Sequence, residues 1–95
     1  MNFYAEKVRA LTKRKRARDL YDINYLLSKN VKLDKKLVEE KLKYYDEEID
    51  LRIIEKSIED IKNYWIEEMK ILTRSTPEYS EVASFVLKKL RDGLS

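Results

Sequence analysis

The sequence predicts an all-α fold of about four or five helices, with one long helix near residues 48–72, and three observations carry that reading. One Gly and one Pro in 95 residues leave almost none of the turn punctuation that a sandwich or barrel of short strands needs. Apolar residues recur at steps of three and four along most of the chain, the period of a helix with one buried face. At this length the chain is one compact unit, so residues 1–95 form a single helical domain with one core. Its 43% apolar residues can build that core, while 41% charged residues require most of each helix's circumference to face water or a partner.

Tyr4, Val8 and Leu11 define a first helix face, and Leu20, Ile23 and Leu27 a second. At about 100° per residue the two stripes are rotated by roughly 100°, so one straight helix cannot bury both against the same neighbour. A kink or short connection is expected near residues 13–18. Asn30 to Asp34 reads as a turn, with Asp34 as the N-cap of a helix that starts at Lys35 and turns Leu37, Val38 and Leu42 to the core. From about Asp50 the series Leu51, Ile54, Ile58, Ile61, Trp65, Met69 and Leu72 sustains the helical period for more than 20 residues. The charged set Glu55, Lys56, Glu59, Asp60 and Lys62 falls off that stripe, with Glu59 and Asp60 facing water. Thr76 and Pro77 read as the N-cap and first residue of a last helix, where proline's missing N–H costs nothing. Val82, Phe85, Val86 and Leu90 form its apolar face, and Gly93 suits its C-cap.

Cysteine and histidine are both absent, which removes zinc fingers, disulfide frameworks and every catalytic triad. A metal site on Glu59 and Asp60 would need a second carboxylate cluster that the spacing does not supply, so no metal ligand is assigned. No apolar run approaches the roughly 18 residues of a membrane span and no signal-peptide h-region opens the chain, so a soluble cytoplasmic protein is expected. Gln is missing while Lys, Glu, Ile and Tyr are heavily used, a compositional bias of hyperthermophile proteins.

The net charge of +3 conceals a polarised distribution: +6 over residues 1–18, +1 over 19–38, −6 over 39–68 and +2 over 69–95. The run Lys13-Arg14-Lys15-Arg16-Ala17-Arg18 can meet phosphates, or can be a basic segment that faces the acidic middle. Tyr21, Tyr25, Tyr44 and Tyr45 could stack on bases, but as amphipathic rings they belong more naturally at the core's edge.

The stretch Ala5-Glu6-Lys7, Ala10-Leu11, Arg14, Arg18-Asp19-Leu20-Tyr21-Asp22-Ile23 and Leu26-Leu27 is more particular than amphipathicity requires. Over residues 5–27 it resembles the C-terminal motifs of the AbiEii-type nucleotidyltransferases, the toxin half of abortive-infection and related toxin–antitoxin systems. Further along, the likeness is limited to several helices and a Trp in the long one. The resemblance implies a helical C-terminal half whose N-terminal partner has a polymerase-β-like fold, with a Gly-Ser motif for phosphates and an aspartate pair for Mg²⁺. This chain has neither a Gly-Ser dipeptide nor an Asp-x-Asp, so the catalytic half is expected to be absent and the chain inactive alone, with no cofactor of its own. Mg²⁺ and a nucleoside triphosphate are implied only together with that half.

The resemblance carries the family's essential lysine to Lys7 and its essential aspartate to Asp19 or Asp22, as catalytic residues that need the missing half. Lys7, Arg14 and Arg18 are the corresponding substrate-binding set. The chemistry suits the types: lysine holds phosphate oxygens as a point charge, arginine clamps them bidentately, and an acid orients the arginine or helps activate an acceptor hydroxyl. Lys7 and Arg14 lie about 20° apart in helical projection, so both can face one ligand. A purely structural alternative has Asp19 and Asp22 complementing the second helix's N-terminus while Arg14 and Arg18 pair with acids of the middle helix.

The partners implied are a separate catalytic chain or an antitoxin-like protein, with nucleotide or RNA as ligand. Two further readings compete: a small basic nucleic-acid-binding module, and a homo-oligomer or partner-binding protein that associates through the Leu51 to Leu72 stripe.

Overall fold

The computed structural model describes residues 3–95, and all regular structure among them is helical. Helix α1 (Phe3–Lys13) turns sharply into α2 (Ala17–Ser28), α3 (Lys35–Tyr44) comes next, and α4 (Leu51–Ile61) runs through a 3₁₀ turn, Lys62–Tyr64, directly into α5 (Trp65–Leu72). Helix α6 (Tyr79–Leu94) closes the fold. Counting α4 to α5 as one joined helix of 22 residues, the fold is the all-α unit of five helices that the sequence predicts.

The break near residues 13–18 lies where the two rotated stripes demand it. Tyr4, Val8 and Leu11 of α1 are buried together with Leu20 and Ile23 of α2, and Leu27 packs at the core's edge. The turn beyond α2 uses Asn30 at φ 60°, a left-handed conformation that Asn tolerates. Asp34 then caps α3, its Oδ1 accepting from the N–H of Lys36 at 3.0 Å and of Leu37 at 3.3 Å. Asp50 caps α4 in the same way through Arg52 and Ile53.

The 3₁₀ turn lets one continuous helix serve two sets of neighbours. Three residues at about 120° instead of about 100° rotate the face of α5 by roughly 60° relative to that of α4. Accordingly α4 packs on α1 and α6, whereas α5 packs on α2. Trp65 anchors this junction: it is 2% exposed, its Nε1 donates to the Pro77 carbonyl at 2.9 Å, and its ring meets Tyr79 edge-on. Three tyrosine hydroxyls tie loops and helices to this frame, Tyr4 donating to the Val31 carbonyl, Tyr64 to that of Lys15 and Tyr79 to that of Ile58. Burial pushes all three phenols above their ordinary pKa, which keeps them protonated as donors.

Four expectations are corrected. Leu37 is half exposed, because α3 packs chiefly on α1 and its buried face is the narrow Val38–Leu42 row. Leu72 is 45% exposed at the end of α5, where it opens onto a surface cleft. Helix α6 begins at Tyr79 rather than Pro77, and Pro77 instead supplies the acceptor for Trp65. Gly93 lies inside α6 rather than beyond it, where a Cβ would collide with the Leu33 side chain. The stripe proposed for oligomerisation is also spent internally, since Ile54, Ile58, Ile61, Trp65 and Met69 are all buried in the fold's own core.

Candidate functional site

The motif residues converge where α1 meets α2. The link between the helices turns on Lys15, whose φ of 54° is uncommon for a side chain without local hydrogen-bonding ability and costs about 1–2 kcal/mol. Two contacts hold it there: the Tyr64 hydroxyl on its carbonyl and Asp60 at 3.2 Å from its Nζ. Helix α2 then starts at Ala17 with no side-chain cap from Arg16. Glu68 of α5 takes that role, one oxygen accepting from the Ala17 N–H at 2.8 Å and the other lying 3.0 Å from Arg16 Nη1.

Asp19, in the first turn of α2, is only 1% exposed. Its Oδ1 accepts from Arg14 Nη2 at 2.8 Å and lies 3.9 Å from Lys7 Nζ, while its Oδ2 is buried with no hydrogen-bond partner among the described residues. Asp22, three residues on, sits nearer the surface: its Oδ2 is 2.6 Å from Lys7 Nζ and 4.0 Å from Arg18 Nε. Lys7 and Asp22 are both about 30% exposed at the side chain, and Arg14 and Arg18 are largely exposed. Lys7, Arg14, Arg18, Asp19 and Asp22 therefore form one continuous network, with Asp19 at its buried base and the other four toward solvent.

The geometry divides the two aspartates by what they can do. Asp19 fixes Arg14 and stands behind Lys7, and its side chain has almost no surface with which to meet a ligand. Asp22 and Lys7 form an ion pair at the rim, and the lysine's N–H donors can also turn to an incoming oxygen. Asp19 in the first turn of α2 also complements that helix's positive end.

The alternative that paired Arg14 and Arg18 with the middle helix is overturned, because both reach α2's own aspartates. The neighbouring cations answer to the acidic stretch instead: Lys13 lies 3.8 Å from Glu47, Lys15 pairs with Asp60, and Arg16 with Glu68. Much of the basic run is thus balanced internally, which weakens its reading as a nucleic-acid surface. The tyrosines do not extend it either. Tyr44 and Tyr45 meet edge-on at the far end of α3, and Arg9 covers the Tyr45 ring at 3.9 Å.

Glu68 was not legible as a site residue, since its contact with Ala17 spans 51 residues and nothing in local spacing announces it. A wide concavity of ≈ 1150 Å³ between α3, the 46–50 loop and Leu94 contains none of the motif residues. A smaller open cleft of ≈ 250 Å³ does, lined by Arg14, Arg16, Arg18, Asp19 and Glu68 with Ile71 and Leu72. Among the described residues no three acidic, His or Cys side chains converge as a metal-binding group, and no helix is long and apolar enough to cross a membrane.

No curated protein and no solved structure matches the chain. A family model described as nucleotidyl transferase AbiEii toxin, type IV toxin–antitoxin system, matches residues 2–89, well beyond the 5–27 stretch in which the motif is dense. The match takes in the network on α1 and α2 and the helices that support it. On that extent of similarity, the chain belongs to the AbiEii nucleotidyl transferase toxin family of type IV toxin–antitoxin systems.

Proposed function

We propose that this chain is the helical part of an AbiEii-like nucleotidyltransferase and presents the Lys7, Arg14 and Asp22 rim to the phosphates of a nucleotide. One observation carries the reading: Lys7 Nζ lies 2.6 Å from Asp22 Oδ2 and 3.9 Å from Asp19 Oδ1, the same oxygen that Arg14 Nη2 reaches at 2.8 Å. Lys7 of α1 and Arg14 of the turn meet at one oxygen of Asp19 on α2, and Lys7 also reaches Asp22, so two helices and the turn between them bring together the types that bind and orient phosphate. In this reading Lys7 and Arg14 contact phosphate oxygens, Arg18 extends the cationic rim, and Asp22 holds Lys7 and can accept a proton from an acceptor hydroxyl. Asp19 is a positioning residue.

The chain has no Gly-Ser dipeptide or Asp-x-Asp for the phosphates and Mg²⁺ of a transfer reaction. Transfer is therefore assigned to this rim only in combination with a polypeptide segment that carries them, and the isolated chain binds without turning over. An antitoxin partner follows from the family's toxin–antitoxin character.

The test is a titration with ATP, GTP, CTP and UTP, with and without Mg²⁺, monitored by backbone amide shifts. Shifts confined to residues around Lys7, Arg14 and Asp22, and lost in Lys7→Ala, are expected. Unchanged spectra at millimolar nucleotide for the folded wild-type chain would overturn the reading.

A further inference from the structure

The end of α5 carries an apolar spot beside three arginines. Ile71 is 87% exposed and Leu72 45%, and both line the ≈ 250 Å³ cleft whose other walls are Arg14, Arg16, Arg18, Asp19 and Glu68. Lys70 and Arg74 flank the pair in sequence, both exposed and neither in an ion pair among the described residues. An isoleucine this exposed is ordinary when isolated, but two adjacent aliphatic residues opening onto a cleft form a patch.

We propose that this surface docks an acidic amphipathic polypeptide segment, which inserts an aliphatic side chain between Ile71, Leu72 and the arginines. Charge complementarity selects the occupant. The side chains of Arg14, Arg16 and Arg18 are each more than 60% exposed, and a guanidinium has five N–H donors, so they keep donors for carboxylates beyond the acids they already meet. The cleft is smaller than the roughly 300–1,000 Å³ of a pocket that engulfs a small molecule, and suits a side chain anchor. Its apolar lining is aliphatic and holds no aromatic ring, whereas single-stranded nucleic acid binds on stacking platforms, so a protein is favoured over an RNA. A second copy of the chain is disfavoured because a self-complementary contact would set these arginines against their own copies. An apolar anchor in a charged rim is the usual composition of a helix-in-groove contact.

The test uses the full chain immobilised against a displayed library of random 16-residue peptides, with Ile71→Ser/Leu72→Ser as the subtracting bait. Both substitutions are at the surface, and circular dichroism checks that the bait is folded. The expected enrichment is for net-negative peptides with aliphatic residues at three- and four-residue steps. Their affinity should fall at least tenfold in the double variant and in Arg18→Glu. Enrichment of neutral or basic peptides, failure to enrich over the bait, or concentration-dependent dimerisation abolished by the double variant would each overturn the proposal. So would a single-stranded RNA 12-mer that shifts the amides of residues 70–74 when no acidic peptide does. None of these readouts depends on nucleotide binding, so this proposal and the nucleotide reading can fail separately.

Discussion

Glu68 caps the helix that begins at Ala17, its carboxylate accepting from the Ala17 N–H at 2.8 Å across 51 residues of sequence. The contact couples α5 to the first turn of α2, the turn that carries Asp19. Replacing Glu68 by Ala should lower stability by about 1–2 kcal/mol, the usual cost of losing an N-cap acceptor. Most of that loss belongs to the backbone contact, because the Arg16 partner is largely exposed and a surface ion pair adds little. Glu68→Gln, which keeps an acceptor, should recover more than half of it. Urea unfolding of the three proteins measures the order, and equal losses in Ala and Gln would place the value of Glu68 in its charge instead.

The Arg14–Asp19 pair sets a second expectation. Arg14→Ala leaves a carboxylate that is 1% exposed with only Lys7, at 3.9 Å, to answer it. A buried carboxylate stripped of its hydrogen-bonded cation is costly, but Arg14 is itself 62% exposed and its interaction is partly screened. A destabilisation of about 1–2 kcal/mol is expected, the lower part of the range for hydrogen bonds to charged groups. Asp19→Asn in the Arg14→Ala background removes the orphaned charge and should restore part of the loss. Unfolding midpoints of the two single variants and the double variant test it, since simple additivity would show that the two side chains do not interact.

How much of this was legible in the sequence depended on the range of each contact. The Asp34 cap, the break between Leu11 and Leu20, and the core series from Ile54 to Met69 follow from local spacing, and the structure places them accordingly. The motif named Lys7, Asp19 and Asp22 without saying which aspartate meets the lysine, and the short connection between α1 and α2 sets Asp22 nearer to it at 2.6 Å. What local spacing could not supply was the tertiary termination of each element. Periodicity carries Leu72 onto the buried stripe, but the core ends at Met69 because Leu72 opens onto the cleft beside Arg14, Arg16 and Arg18. Thr76-Pro77 has the composition of a helix start, yet the Pro77 carbonyl is engaged by Trp65 from another element. Gly93 has the composition of a helix stop, yet it serves a close approach to Leu33 from sixty residues earlier in the chain.

That close approach makes a testable pair. Gly93→Ala should gain roughly 0.5–1 kcal/mol of helix propensity and lose more to the overlap with Leu33, for a net destabilisation of about 1 kcal/mol. In a Leu33→Ala background the overlap is gone, so the same substitution should become stabilising. A double-mutant cycle by chemical denaturation reads the sign change, and Gly93→Ala destabilising in both backgrounds would mean that Leu33 is not what keeps a glycine there.

The final expectation concerns acid. Hydrogen bonds from Lys15 and then Lys56 hold the Asp60 carboxyl below the ordinary aspartate range. A depressed folded-state pKa stabilises the fold in full above the unfolded value, about 3.9, and the contribution is lost as pH falls through the folded value. Asp60 is solvent-accessible, so the effect is modest, but it acts on Lys15, the residue held at φ 54° between α1 and α2. Asp60→Asn should therefore be less stable than wild type at pH 7, with the gap closing as the pH is lowered below about 3.9. Salt should narrow the same gap at pH 7 by screening both lysines. Thermal unfolding from pH 7 to pH 2 traces the two curves, and a gap that persists unchanged at pH 2 would show that Asp60 acts through its shape rather than its charge. Because Asp60 steadies the turn that delivers Arg14, the amide shifts of residues 14–19 should move along the same acid limb, earlier than those of the α6 core.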